Sequence, residues 1–161
     1  MTGVQTCALP ILSFNPTDDT YVNSNRANRN YGSSASLTTV SPTRYSLFKF
    51  NVTGVGTRTV TSAKLRLYVN NSSNSGGAFH KITNNTWSQS TVTWNTKPTF
   101  DANNLSTLGP ITSGTWVETD LTSLITNDGI YGILNNSTSG DTAGYTSRET
   151  STTPQLILGV Q

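Results

Sequence analysis

The sequence predicts an all-β chain folded as a single-domain antiparallel β-sandwich. Three observations carry the prediction. Apolar residues recur at spacing two in short runs, turn-forming residues punctuate those runs, and no helical period outlasts one turn. Of 161 residues, 33% are hydrophobic and 11% charged, the balance being largely Ser, Thr, Asn and Gly. That composition suits strands and turns better than helices. The length suits one domain around one core.

Residues 1–11 have neither the basic start nor the apolar run of a signal peptide, and read as an in-frame translation of a sequencing-library adapter. Residues 1–13 are therefore expected to be a non-native leader without packing, and the sandwich to span 14–161. On that reading the only cysteine, Cys7, carries no meaning, and a missing signal peptide says nothing about export. Strands follow at Thr20–Asn23 and Leu37–Val40, separated by an Asn/Arg/Gly/Ser loop. Asp18 and Asp19 are adjacent carboxylates in an oxygen-rich stretch. They are candidate ligands for a structural calcium, but without EF-hand spacing, so turn capping is the favoured role. No cofactor is otherwise expected.

The period of two is clearest between Thr43 and Val69. Phe48, Phe50 and Val52 share one face of the first strand, and Tyr45, Leu47, Lys49 and Asn51 the other. Ala63, Leu65, Leu67 and Val69 share a face of the second, opposed by Lys64, Arg66 and Tyr68. The linker carries Gly54 and Gly56 and reads as a surface crossing. If both strands lie in one sheet, Lys49, Lys64 and Arg66 form a basic strip beside Tyr45 and Tyr68. Cations beside aromatics on a flat surface suit an acidic or hydroxyl-rich ligand. From parity alone, a solvated outer face is the first reading.

Further strands are expected at Ala78–Ile82, Thr115–Leu121, Gly129–Asn135, Tyr145–Glu149 and Gln155–Val160, with one helical turn over residues 122–125. Trp94 follows Val92 at core parity and reads as structural; Trp87 stays open. Phe100 to Pro110 reads as a long polar connection. A net charge of +2 and the absence of a basic run argue against nucleic acid. No apolar stretch approaches the ~20 residues of a membrane span.

Chemistry is sparse. The eight acids sit mostly at turns, and Glu149 is expected to pair with a central-strand cation. His80 is the lone histidine, and no His/Cys cluster suggests a metal. Tyr68, His80 and Arg66 are of the types a polysaccharide lyase uses, without a spacing that assembles them.

The ordered set Asp19-Thr20-Tyr21-Val22, Asn30-Tyr31-Gly32, Ser46 to Phe50, Ser62 to Val69, Trp87-Ser88, Thr91 to Asn95 with Pro98, Asp120 to Leu124, Ser147-Arg148-Glu149 and Pro154-Gln155-Leu156 resembles the DNRLRE domain, or carbohydrate-binding module family 96, over about residues 14–160. The resemblance implies a jelly-roll sandwich in secreted, multi-modular proteins. It also implies non-catalytic polysaccharide binding, with alginate the associated ligand. Uronate carboxylates would then meet Lys49, Lys64 and Arg66, with Arg44 and Arg148 as further cations and Tyr68 or Tyr45 packing on the ring. Trp87, Arg26 and Arg29 are the alternative on the loops. An adhesive or structural spacer and a polysaccharide lyase are the competing classes.

Overall fold

The computed structural model describes Gly3 and residues 8–161; the expectation for Cys7 lies outside the described residues. Eleven strands follow in order: β1 (Ile11–Phe14), β2 (Asp18–Asn23), β3 (Ser36–Thr39), β4 (Arg44–Val52), β5 (Val60–Asn71), β6 (Gly77–Lys81), β7 (Ser106–Leu108), β8 (Trp116–Asp120), β9 (Gly129–Asn136), β10 (Ala143–Thr146) and β11 (Gln155–Val160). Among the described residues the only helical element is a 3₁₀ turn at Ser24–Arg26. Asn23 caps it by accepting a hydrogen bond from the Asn25 amide.

Two antiparallel sheets form the sandwich. In the first, β1, β11, β5, β10 and β3 are hydrogen-bonded neighbours in that order, and β8 also pairs β5. The long β5 organises this sheet: β11 takes its first half, β10 its end, and β8 runs along Lys64 to Tyr68. The second sheet runs β2-β4-β9-β6-β7. Between the sheets lie Phe48, Phe50, Leu65, Leu67, Val69, Phe79, Ile133, Tyr145 and Leu158, all fully buried. The inward parity expected for β4 and β5 is what fills this core.

The outer face of the second sheet is also covered. Val22, Leu47, Ile82, Trp87, Val92 and Leu134 form a second buried cluster, with Tyr45, Trp94 and Phe100 packed on it. The cover is the connection between β6 and β7, folded back over the sheet. Middle residues of β4 are therefore buried on both faces, Leu47 outward and Phe48 inward. Trp94 is structural as expected, but lies in a turn over this second cluster, not in a core strand.

The expected turn over residues 122–125 is present, closed by the Ile125 amide on the Leu121 carbonyl at 3.2 Å, with the Asp120 carboxylate accepting from the Thr122 amide and hydroxyl at 2.9 and 2.6 Å. The two bonds from Thr122 hold the Asp120 carboxyl below its ordinary pKa. Two other expectations change. The connection from Phe100 to Pro110 contains β7, too short for a pattern to show. The sheet also reaches into the expected leader. Ile11 faces Gly159 in the ladder, the Pro10 carbonyl accepts from the Val160 amide at 3.1 Å, and Leu12 and Phe14 pack on the core. Half-burial of those two side chains is worth about 2 kcal/mol. A chain beginning at Asn15 should melt about 4–8 °C below one beginning at Pro10. Equal melting temperatures by calorimetry would return β1 to the leader.

Candidate functional site

The expected basic strip is split by the architecture. Lys49 and Tyr45 stand on β4 in the second sheet; Lys64, Arg66 and Tyr68 stand on β5 in the first. Alternation reveals the face of a strand but not its sheet, and the seven-residue connector from Thr53 to Thr59 crosses between sheets instead of closing a hairpin. Lys49 is enclosed: its ammonium donates to the Trp87 carbonyl, lies 3.5 Å from the Asp18 carboxylate and sits 4.7 Å from the Trp87 ring centroid. Tyr45 packs against Trp94 at 4.8 Å and Phe100 at 6.1 Å. Both pin the covering loop instead of facing a ligand, and Trp87, only 7% exposed, is their partner in that task.

The outer face of the first sheet keeps Lys64, Arg66 and Tyr68 together and adds residues that the sequence reading did not single out. Trp116, Glu118 and Asp120 on β8 stand opposite Tyr68, Arg66 and Lys64 in the ladder. The Arg66 guanidinium lies 4.3 Å from the Trp116 ring centroid, and the Tyr68 ring meets that indole edge-on at 5.3 Å. Trp116 is 37% exposed, unusual for so large an apolar side chain on a flat sheet. Lys64 is paired with Glu118 at 3.7 Å, an exposed contact worth under ~1 kcal/mol. A signal for Trp116 was present in the sequence: Val117 takes the inward parity of β8, which turns Trp116 out beside two acids.

Arg44 belongs to a different group, at the edge of the sandwich where β2 ends. Tyr21 and Tyr31 stack with centroids 4.3 Å apart, and Arg29 lies 5.1 Å from the Tyr31 ring. Burial raises the Tyr21 pKa, with the Tyr31 neighbour adding to the rise and Arg44 and Arg29 opposing it. Arg26 ends the adjoining 3₁₀ turn.

Arg148 lies beyond the end of β10, in the turn after Thr146, and serves a polar hub around the buried Asp19. Its guanidinium donates to Gln89 Oε1 at 3.0 Å and its amide to Asp19 Oδ2 at 2.8 Å. Gln89 Oε1 also accepts from the Asp19 amide at 3.1 Å, while Gln89 Nε2 donates to the Gly32 carbonyl and to Glu149, each at 3.0 Å. Asp18 accepts from the Gln89 amide at 3.0 Å. Gly32 is required here because a Cβ would overlap the Gln89 carbonyl. Glu149 therefore answers Gln89, and the expected pairing with a cation of the central strand gives way: Arg66 lies across from Glu118 and stacks on Trp116. Asp18 and Asp19 accept from protein donors, and among the described residues no group of three or more His, Cys, Asp or Glu side chains is placed to hold a metal ion.

His80 is 6% exposed, with Nδ1 2.9 Å from the Asp101 carbonyl and Nε2 2.9 Å from Asn136 Oδ1. It stands on β6 of the second sheet, apart from Arg66 and Tyr68 on the first, so the three lyase-type residues do not assemble.

No helix among the described residues is long and apolar enough to cross a membrane. A search of curated proteins finds no match to the chain. A family model does match, that of carbohydrate-binding module family 96, over residues 10–159. Modules of this kind bind carbohydrate, are generally non-catalytic and are typically extracellular. The match runs from just before β1 to Gly159 in β11 and takes in the aromatic and charged face of the first sheet, and the protein belongs to carbohydrate-binding module family 96.

Proposed function

We propose that the chain binds an acidic polysaccharide, alginate being the expected ligand, along the outer face of β5 and β8. In this reading it is a non-catalytic module joined to other modules in a secreted protein. Trp116 is the observation that carries the proposal: an exposed indole on an edge strand, braced by Tyr68 and Arg66. A sugar ring has an apolar face that an aromatic ring accommodates, and rigid aromatic anchors dominate binding at such surfaces. Stacking uses the flat side of the Arg66 guanidinium and leaves its N–H edge to meet a uronate carboxylate. Lys64 shares its charge with Glu118, so Arg66 carries most of the preference for acidic over neutral glycans.

Affinity electrophoresis in alginate gels tests this. Trp116→Ala should weaken binding by about 2 kcal/mol or more, some thirtyfold. Arg66→Gln should erase the preference for alginate over a neutral glucan. Raising the salt toward 1 M, where the Debye length falls to about 3 Å, should weaken wild-type retardation. A folded Trp116→Ala variant retarded like wild type would remove this face. Absence of retardation by every glycan tried would favour a spacer role.

A further inference from the structure

The excursion between β6 and β7 is a closed loop. Thr83 donates to the Thr99 carbonyl through its amide (2.9 Å) and its hydroxyl (3.1 Å), and Ile82 and Phe100 form a bridge beneath them. Residues 84–98 thus leave and return through one neck. Loops whose ends meet and whose own side chains fill them are often functional. Trp87 and Val92 anchor this one in the second apolar cluster.

Between its limbs is a cavity of about 260 Å³. Asn84, Thr86 and Trp87 line one side, and Thr96, Lys97 and Thr99 the other. Several acceptors here are spent within the loop. Asn84 Oδ1 takes the Thr86 amide at 3.1 Å and hydroxyl at 2.8 Å, and Thr96 Oγ1 takes the Thr93 amide at 2.9 Å. Donors are left over. Trp87 Nε1 has no acceptor among the described residues, but it is closed to solvent and so reports on the cavity wall instead of donating into the cavity. Asn84 Nδ2 has none among them either, and the Lys97 ammonium gives one hydrogen bond, to the Trp94 carbonyl at 3.1 Å. Lys97 sits 4.0 Å from the Trp94 ring centroid, forms no ion pair among the described residues, and is held below its ordinary pKa by burial. A cavity with an ammonium outside any ion pair and a free side-chain amide on facing sides is complementary to a carboxylate. Its hydroxyls and indole suit a sugar ring. Its volume falls below the roughly 300–1,000 Å³ of sites for drug-sized ligands, which fits one sugar residue and not a chain.

We propose that this loop cavity is a second binding site, separate from the β5/β8 face, that takes a single hexuronic acid residue through its carboxylate. Asn84 and Lys97 bind the carboxylate and Trp87 forms the wall of the cavity. The site goes beyond the polysaccharide reading above and stands or falls separately from it.

Titration of the full chain with sodium D-glucuronate tests the proposal, followed by the NMR signals of the Trp87 indole N–H and the Asn84 side-chain amide. D-Glucose and sodium acetate at matched ionic strength are the controls. Saturable shifts are expected with glucuronate and none with glucose, with acetate at least about tenfold weaker. Lys97→Met should weaken glucuronate binding by about tenfold, the value of a hydrogen bond to a charged group. Asn84→Asp keeps the oxygen that Thr86 requires and replaces two donors with negative charge, so it should abolish binding without loss of melting temperature, even if Lys97→Met fails to fold. Trp116→Ala should bind glucuronate like wild type, which separates this site from the β5/β8 face. The proposal is overturned by no saturable shift with glucuronate, by equal response to glucose, by acetate binding as well as glucuronate, or by wild-type affinity in Asn84→Asp.

Discussion

Replacing Phe50 with Ala should lower the unfolding free energy by ~3–5 kcal/mol, the usual cost of truncating a buried Phe. Phe50 is 0% exposed, faces inward on β4 and is paired in the ladder with Tyr131. Leu65, Leu67 and Leu158 of the opposite sheet belong to the same core cluster. Domains of this size are stable by only about 5–15 kcal/mol, so the variant loses about a fifth or more of the total. Urea denaturation of wild type and variant gives the difference directly. A change within ±0.5 kcal/mol, the range of ordinary surface positions, would place Phe50 outside the core. Leu47→Ala makes a companion. On a solvated outer face it would cost little, but under the covering loop it should cost ~2–5 kcal/mol.

Stability should also fall as pH rises from about 4 to 7, and Asp19 should be the main cause. The residue is 1% exposed and its pKa is pushed up from 3.8 to about 7. Burial is the largest cause, and the charges of Glu149 and Asp18 add to it; the Arg148 amide and guanidinium pull the other way. Oδ1 has no hydrogen-bond partner among the described residues. Below pH 3.8 the carboxyl is protonated in both folded and unfolded chains, so Asp19 adds no pH dependence. Between the two values the unfolded chain releases the proton and the folded chain keeps it, so stability declines with pH, and it levels off above 7. The distance from 3.8 to about 7 corresponds to about 4 kcal/mol. Asp19→Asn keeps an acceptor for the Arg148 amide and cannot ionise. Urea midpoints at pH 5 and pH 8 should differ clearly in wild type and little in the variant. An equal pH dependence in both would show that Asp19 ionises in the folded protein as it does in the unfolded chain.

Alternation made the core legible. Phe48, Phe50, Leu65, Leu67 and Val69 all point inward because a strand with one buried face must repeat every second residue. The same rule misplaced Tyr45 and Lys49. It assumes that the other face meets water, whereas here a loop distant in sequence covers it. Nothing local announces that Trp87 and Val92 will fold back over Leu47. Nor does any short-range pattern join Gln89 to Asp19 and Arg148, positions separated by 70 and 59 residues. The candidate site was legible in part. Lys64, Arg66 and Tyr68 followed from parity, while Trp116 needed the pairing of β8 with β5 to become their neighbour.

The pairing of β1 with β11 bears on how the molecule is tethered. The two strands run in opposite directions, and Ile11 lies beside Gly159 at one end of the sheet. Polypeptide attached ahead of β1 and polypeptide attached behind β11 would leave from the same corner. Joined into a longer chain, the sandwich would hang as a pendant from its two leads instead of sitting as a bead in line. Its broad faces would stay clear of both leads, and tension on the chain would peel β1 and β11 apart from their shared end, opening the ladder one hydrogen bond at a time.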